Sequence, residues 1–261
     1  MSERRPTIGY NRTVRLRWLD FTAELTATGQ SEADIIAALQ EYLRNELSVG
    51  SKAKRGSREK TITILLKTWI RVRPSLRAFR DRAIGLLATY KSSDRLALHW
   101  GMTIAAYPFF GTVAEVVGRL LRLQKQFTAS QVHRRIRELF GERETVSRST
   151  RYVLRAFVDW GILKEGSKIG VYTQGRRVSV SDSNVAVCLL AAILYLSTNG
   201  APSLRSLLGS PALFPFALQQ VRLDSLDTAA HLEIICRGPG NDLVLLPKPK
   251  LRNVKERAHR N

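Results

Sequence analysis

The sequence predicts a mainly α-helical chain. It should hold an N-terminal helical bundle, a compact central module, and a small α+β C-terminal region with a β-hairpin. Three observations predict this. Apolar residues recur at helical spacing from about residue 14 to residue 160, punctuated by Gly, Ser and Pro. Residues 128–180 read as helix, turn, second helix and short basic hairpin, which is the order of a winged helix-turn-helix. Short β-type runs around a Gly-Pro-Gly turn appear only after residue 230. The chain has 261 residues and is 44% hydrophobic, enough for a packed core in one large domain or two to three small ones. The divisions read from it are residues 1–106, the winged module 107–181, the region 182–247, and a basic tail 248–261.

Residues 1–13 form a polar arm with Arg4, Arg5 and Arg12, of a kind that either frays or lies along phosphates. A helix follows from about Val14 to Thr28, stopped by Gly29. Ser31 and Asp34 have capping-box spacing for a helix reaching about Leu47. Residues 51–60 are a basic loop; with no lysine after a final glycine opening a helix, it is not a phosphate-binding P-loop. The next helix, about Arg58 to Val72, turns Ile62, Leu65, Leu66, Trp69 and Ile70 inward, and Pro74 breaks it. A helix restarts at Ser75 and runs to about Tyr90. Ser93 caps another that carries His99 and Trp100, where His99 reads as a packed or hydrogen-bonded histidine rather than a ligand. Pro108 opens the helix through about Gln124, placed to support the module that follows.

Thr128 and Gln131 have capping-box spacing. Val132, Ile136, Leu139 and Phe140 then make one buried stripe. Gly141 stops this helix and residues 142–145 form the turn. Ser147 is the expected N-cap of the second helix, which runs to about Trp160. Val146, Thr150, Val153, Leu154, Phe157 and Val158 pack inward, and Arg148, Arg151, Tyr152, Arg155 and Asp159 share the opposite face. Ser147 and Ser149 sit where a helix start offers donors to a phosphate. Strands at 162–164 and 169–172 form the hairpin, with 178–180 as a third. Lys164, Lys168, Arg176 and Arg177 belong to this wing. Beyond it lie an apolar helix from Asn184 to Leu196, a short helix 204–208, an apolar connection 210–216, and strands at 232–236 and 243–246.

The formal net charge of +20 favours a polyanionic partner. Residues 128–180 carry 11 Lys/Arg against 5 Asp/Glu, a denser positive balance than residues 1–90, 91–127 or 181–261 taken whole. Arginine reads guanine edges bidentately or phosphates singly, so Arg148, Ser149, Arg151, Tyr152 and Arg155 are the expected DNA-facing residues. Lys164, Lys168, Arg176 and Arg177 are the expected phosphate contacts. Cys188 and Cys236 stand apart, which argues against a disulfide scaffold or zinc site. The four histidines fall in no metal spacing, and no hydrolase, zincin or Walker motif is present. The expectation is a protein without enzymatic activity, metal or cofactor. The 12 uncharged residues 185–196 fall short of the ~20 a membrane-spanning helix needs. The polar start lacks the apolar run of a secretory signal, so a reducing cytoplasm is expected.

Two stretches carry a family resemblance. AAYPFFGTVAEVVGRLL (105–121) and VSRSTRYVLRAFVDWGILKE (146–165) follow a series of basic amphipathic helices. Together they resemble the BrxA family of bacterial BREX bacteriophage-defence systems over roughly residues 14–165. The resemblance implies a small, mostly helical, non-enzymatic protein to which DNA binding is attributed. It also implies that Ser149, Arg151 and Arg155 lie on the DNA-facing helix. The C-terminal part from about Asn184 departs from the family's shorter pattern. The expected role is therefore duplex-DNA binding as an accessory of a phage-defence complex, with other defence proteins as partners. A winged-helix transcription regulator and an RNA-binding or assembly adaptor are the alternatives.

Overall fold

The computed structural model describes residues 8–48, 56–90, 92–197, 201–218, 232–235 and 242–246. The N-terminal part is built from α1 (Leu16–Ala27), α2 (Glu32–Tyr42), α3 (Ser57–Trp69), α4 (Arg77–Thr89) and α5 (Ser92–Ala106). The middle part comprises α6 (Pro108–Leu123), β1 (Gln126–Thr128), α7 (Ala129–Phe140), α8 (Glu144–Asp159), β2 (Leu163–Glu165) and β3 (Val171–Gln174). The C-terminal part comprises β4 (Val178–Val180), α9 (Ser183–Leu196), α10 (Leu204–Leu208), β5 (Phe216–Leu218), β6 (Glu233–Ile235) and β7 (Leu243–Leu245). The chain is mainly helical with a small sheet content.

Most helix starts have a local cause in sequence. Ser31 accepts from the Asp34 amide, and Asp182 accepts from the amides of Asn184 and Val185. Thr128 and Gln131 form a full capping box. Pro108 opens α6 at a position where its missing N–H costs nothing. Some boundaries differ from expectation. α2 ends at Tyr42, and residues 43–47 continue as turns in which the Leu47 amide donates to the Leu43 carbonyl. A 3₁₀ turn at Pro74–Leu76 delays α4 to Arg77, and α5 opens at Ser92, one residue ahead of its expected cap.

The strands pair differently from a simple three-stranded wing. β1 pairs antiparallel with β3, and β3 with β2, giving the order β1-β3-β2. The third strand is therefore β1, ahead of α7, which sequence reading missed. β4, the expected third strand, instead runs parallel to β5. β5 lies in a stretch expected to be irregular. β6 and β7 form the expected antiparallel hairpin; Cys236 and the turn 238–241 lie outside the described residues, as do Arg4, Arg5, residues 51–55 of the basic loop and the tail.

A single hydrophobic cluster runs through all three parts, so the divisions at 106/107 and 181/182 separate no cores. α9 packs along α5 and touches α4 and α6. Its ten consecutive buried residues, Val185 to Leu194, explain its apolar run. No single helix among the described residues is long and apolar enough to cross a membrane. Burial pushes the Cys188 thiol up to about 12, far from reactive thiolate. A 3₁₀ turn at Pro211–Leu213 seats on α6 where Gly118 leaves room: a Cβ there would lie 1.9 Å from the Pro211 carbonyl oxygen.

His99 is fully buried, and its Nε2–H donates to Asp20 Oδ1 at 2.8 Å. Arg95 holds the same oxygen at 2.7 Å and Glu24 at 2.7 Å. Burial keeps His99 below the usual histidine range despite the Asp20 hydrogen bond. It is a packed, hydrogen-bonded histidine.

Trp100 sits where the three parts meet. Its ring touches Phe110, Phe157, Trp160, Phe214 and Phe216 at centroid distances of 5.0–6.0 Å. Its indole N–H donates to the Ala212 carbonyl at 3.1 Å. Trp100→Ala is expected to lower the unfolding free energy by about 3–5 kcal/mol. Urea denaturation checks this, and a loss below about 1 kcal/mol would remove the cluster from its central role.

Candidate nucleic-acid interface

α7 and α8 are amphipathic for different reasons than their spacing alone suggests. α7 buries Val132 and Ile136, and Phe140 packs edge-on against Phe109 at 5.0 Å. That contact rotates the buried stripe towards Phe140 and leaves Leu139 62% exposed, against expectation. Gly141, at φ +83°, makes the turn in a conformation disfavoured for other residues. α8 then starts at Glu144, one turn earlier than expected. Ser147 is inside the helix, and no side chain caps the N-terminus at Arg143. Val146, Thr150, Val153, Leu154 and Phe157 are buried as expected.

The β2–β3 hairpin is tied to the start of α7. The Gly166 amide donates to the Val171 carbonyl at 2.8 Å, and the Ala129 amide donates to the Gly170 carbonyl at 2.7 Å. Phe127 of β1 faces Tyr172 of β3 in register, their rings 5.7 Å apart. β3 begins at Val171, so Ile169 is not in a strand. It stands fully exposed at the tip of the turn beside Lys168.

The expected site residues divide into five groups. Arg151 and Arg155 are exposed on α8 and make no ion pair or hydrogen bond among the described residues. Arg148 is exposed too, but pairs with Glu144 one turn earlier. Lys164 and Lys168 are exposed on the hairpin. Tyr152 is half-buried, with the Arg12 guanidinium over its ring at 5.7 Å. Ser149, Arg176 and Arg177 are corrections. Ser149 is 1% exposed and faces the N-terminal arm, because it lies on the flank of α8 that packs there. Arg176 is not on the hairpin: its Nε donates to the Trp160 carbonyl at 3.1 Å and its amide to the Gly161 carbonyl at 2.8 Å, closing the end of α8. Arg177 lines a cleft with Arg122, Phe214 and Ala217 on the C-terminal side.

The arm, residues 8–15, explains the covered flank. Tyr10 and Val14 are buried. The Trp160 indole donates to the Val14 carbonyl at 2.9 Å. Asp159, expected on the free face, accepts from the Leu16 amide at 3.3 Å and approaches Arg15 at 3.9 Å. A carboxylate at the first residue of α1 suits the positive end of that helix. The free face of α8 is thus narrower than periodicity suggests, and Arg12 joins it from outside.

The surface is strongly positive where α7 meets α8. Partial burial, then the charges of Arg137 and Arg151, hold the His133 pKa below the usual histidine range. Arg155 lies close enough to Tyr172 to oppose the rise that burial and Glu165 impose on that phenol. Arg134 and Arg137 line a shallow depression on α7 with Ser130 and Gln131. Glu138 and Glu142 line the same depression, and Arg137 pairs with Glu142 at 3.8 Å.

Comparison with protein-family models, curated proteins and solved structures finds no match to this chain. The functional reading rests on the residues themselves.

The two arginine environments make a testable contrast. Arg176→Ala is expected to cost about 1 kcal/mol of stability, the worth of a side-chain hydrogen bond at a helix end. Arg151→Ala should leave stability within about 0.5 kcal/mol. Thermal melts of both variants decide it; equal losses would refute the assignment.

Proposed function

We propose that α6 to β3 form a winged helix-turn-helix that binds duplex DNA. In this reading α6 supports the module, α7 and α8 are the helix pair, and the β2–β3 hairpin is the wing. One observation carries it: Arg151 and Arg155 stand unpaired on the exposed face of a helix backed by a β1-β3-β2 sheet. Free guanidiniums on the solvent-facing side of a helix suit the major groove, where each can bind a guanine bidentately. Arg148 joins them on exchanging Glu144 for a phosphate, and Lys164 and Lys168 hold the backbone from the wing. The protein acts by binding, without catalysis, as an accessory of a BREX-like phage-defence complex. The likeness of residues 14–165 to the BrxA family is what supports that setting.

The test is duplex binding across a salt series for wild type and an Arg148/Arg151/Arg155→Ala variant. Each lost phosphate contact should reduce the slope of log K against log salt by about 0.9. A variant that keeps its fold but loses affinity supports the reading. Unchanged binding would move the contact elsewhere, and tighter binding to structured RNA at equal salt would replace duplex DNA as the partner.

His133 supplies an independent readout. Its pKa in the free protein is low, and phosphates nearby would raise it in the complex. Binding then takes up a proton: the gain is full below the free-state pKa and lost as pH rises through the bound-state value. Affinity should therefore increase as pH falls through the His133 titration, with a slope of at most one proton. His133→Gln should flatten that dependence. An equal slope in the variant would place His133 away from the DNA.

A further inference from the structure

A pocket of about 390 Å³ lies between the N-terminal arm, α3 and the first turns of α8. Its polar lining is Asn11 and Arg12 from the arm, Lys60 from α3, and Thr145, Arg148 and Ser149 from α8. Three elements far apart in sequence thus bring three cations to one place. Arg148 has a carboxylate partner in Glu144. Lys60 and Arg12 have none among the described residues, and both are half-buried. Half-buried like charges repel one another in a medium that screens them less than water does.

Ser149 singles the pocket out. Eight polar residues are buried among the described residues. The threonines Thr22, Thr61, Thr68, Thr103 and Thr150 each donate to the carbonyl four residues earlier. His99 meets Asp20, and Ser210 accepts from the Ala212 amide. Ser149 is the one of these eight residues whose side chain makes no hydrogen bond among the described residues, and it lines the pocket; the Tyr10 hydroxyl, the Trp18 and Trp69 indoles and His99 Nδ1 are also buried without a partner, but none of them lines this pocket. A buried hydroxyl with nothing to bond is costly unless a ligand completes it. The required ligand accepts hydrogen bonds at several atoms and carries enough negative charge for an ammonium and two guanidiniums. A phosphate group meets both conditions. The first turn of the 16-residue α8 adds the positive end of its dipole.

We propose that this pocket binds a phosphate group. Lys60, Arg12 and Arg148 hold its charge, and the hydroxyls of Ser149 and Thr145 donate to its oxygens. The phosphate belongs either to the backbone of a bound duplex or to a small phosphate ester; only the first source rests on the DNA-binding reading. An occupied pocket joins the arm, the bundle and α8 through one anion, so it stiffens the helix whose arginines face outward.

The probe is inorganic phosphate, titrated against chloride at equal ionic strength, with binding read by calorimetry and by the melting temperature. Wild type should bind phosphate and melt higher with it. Ser149→Ala should need about ten-fold more phosphate for the same rise, as expected for a hydrogen bond to a charged group. Lys60→Gln, which keeps most of the side-chain stem, should lose the response. Arg151→Ala should retain it. Melting temperatures without phosphate show that each variant is folded. A wild type that responds to phosphate no more than to chloride overturns the proposal, as do Ser149→Ala and Lys60→Gln variants that respond like wild type. If duplex DNA displaces phosphate and Lys60→Gln lowers the salt slope by about 0.9, the backbone is the source. If Lys60→Gln abolishes the phosphate response but leaves the salt slope of duplex binding unchanged, a small ester is the source. Phosphate binding by a protein that binds no duplex would leave this site standing and sink the winged-helix reading.

Discussion

The structure depends on one aromatic junction. Trp100 of α5 meets Phe110 of α6, Phe157 and Trp160 of the α8 region, and Phe214 and Phe216 of the C-terminal part. Edge-to-face and tilted rings of this size contribute beyond their buried area, and they do not slide easily past one another. Their indole donors are satisfied in opposite directions, Trp100 to Ala212 and Trp160 to Val14. The junction therefore ties the N-terminal arm at Val14 and the segment at Ala212 to the middle. The helix–sheet unit from α6 to β3 shares a single core with the rest of the described residues.

That integration shapes the surface. α8 has three sides in use: one buried in its own module, one covered by the arm, and one left to solvent. Asp159 and Tyr152, polar residues on a regular stripe, serve the covered side through Leu16 and Arg12. What remains free is a short basic strip around Arg151 and Arg155, continued by Arg12 and by the hairpin lysines. The proposed DNA-binding role and the proposed phosphate pocket lie on neighbouring sides of this one helix. The first uses the cations that the fold leaves unpaired in the open; the second uses those it gathers under the arm.

Local signals were legible where they involve residues close in sequence. The Thr128–Gln131 capping box, Pro108 at the start of α6, Gly141 and Gly161 as stops, and the buried stripe of α8 all follow from spacing. So do the exposed positions of Arg148, Arg151, Arg155, Lys164 and Lys168. The failures have a common cause. Ser149 has the right residue type and helix position for a donor, but a segment more than 130 residues away covers it. Arg176 carries the expected charge, but the Trp160 carbonyl at the end of α8 takes its guanidinium. β1 and β5 are three residues each, too short for a periodic signal, and exist through their partners β3 and β4.

By itself, then, the sequence determined the helices, the caps at Ser31 and Thr128, the basic central stretch and the hairpin of exposed lysines, because 3.6-residue periodicity, capping chemistry and net charge act over a few neighbouring residues. Only the tertiary structure decided which strand completes the small sheet, which flank of α8 stays open, and that the Ser149 hydroxyl is buried without a partner. Those outcomes depend on contacts between residues that no local pattern brings together: Val14 with Trp160, Arg12 with Tyr152, Lys60 beside Ser149, and Pro211 against Gly118.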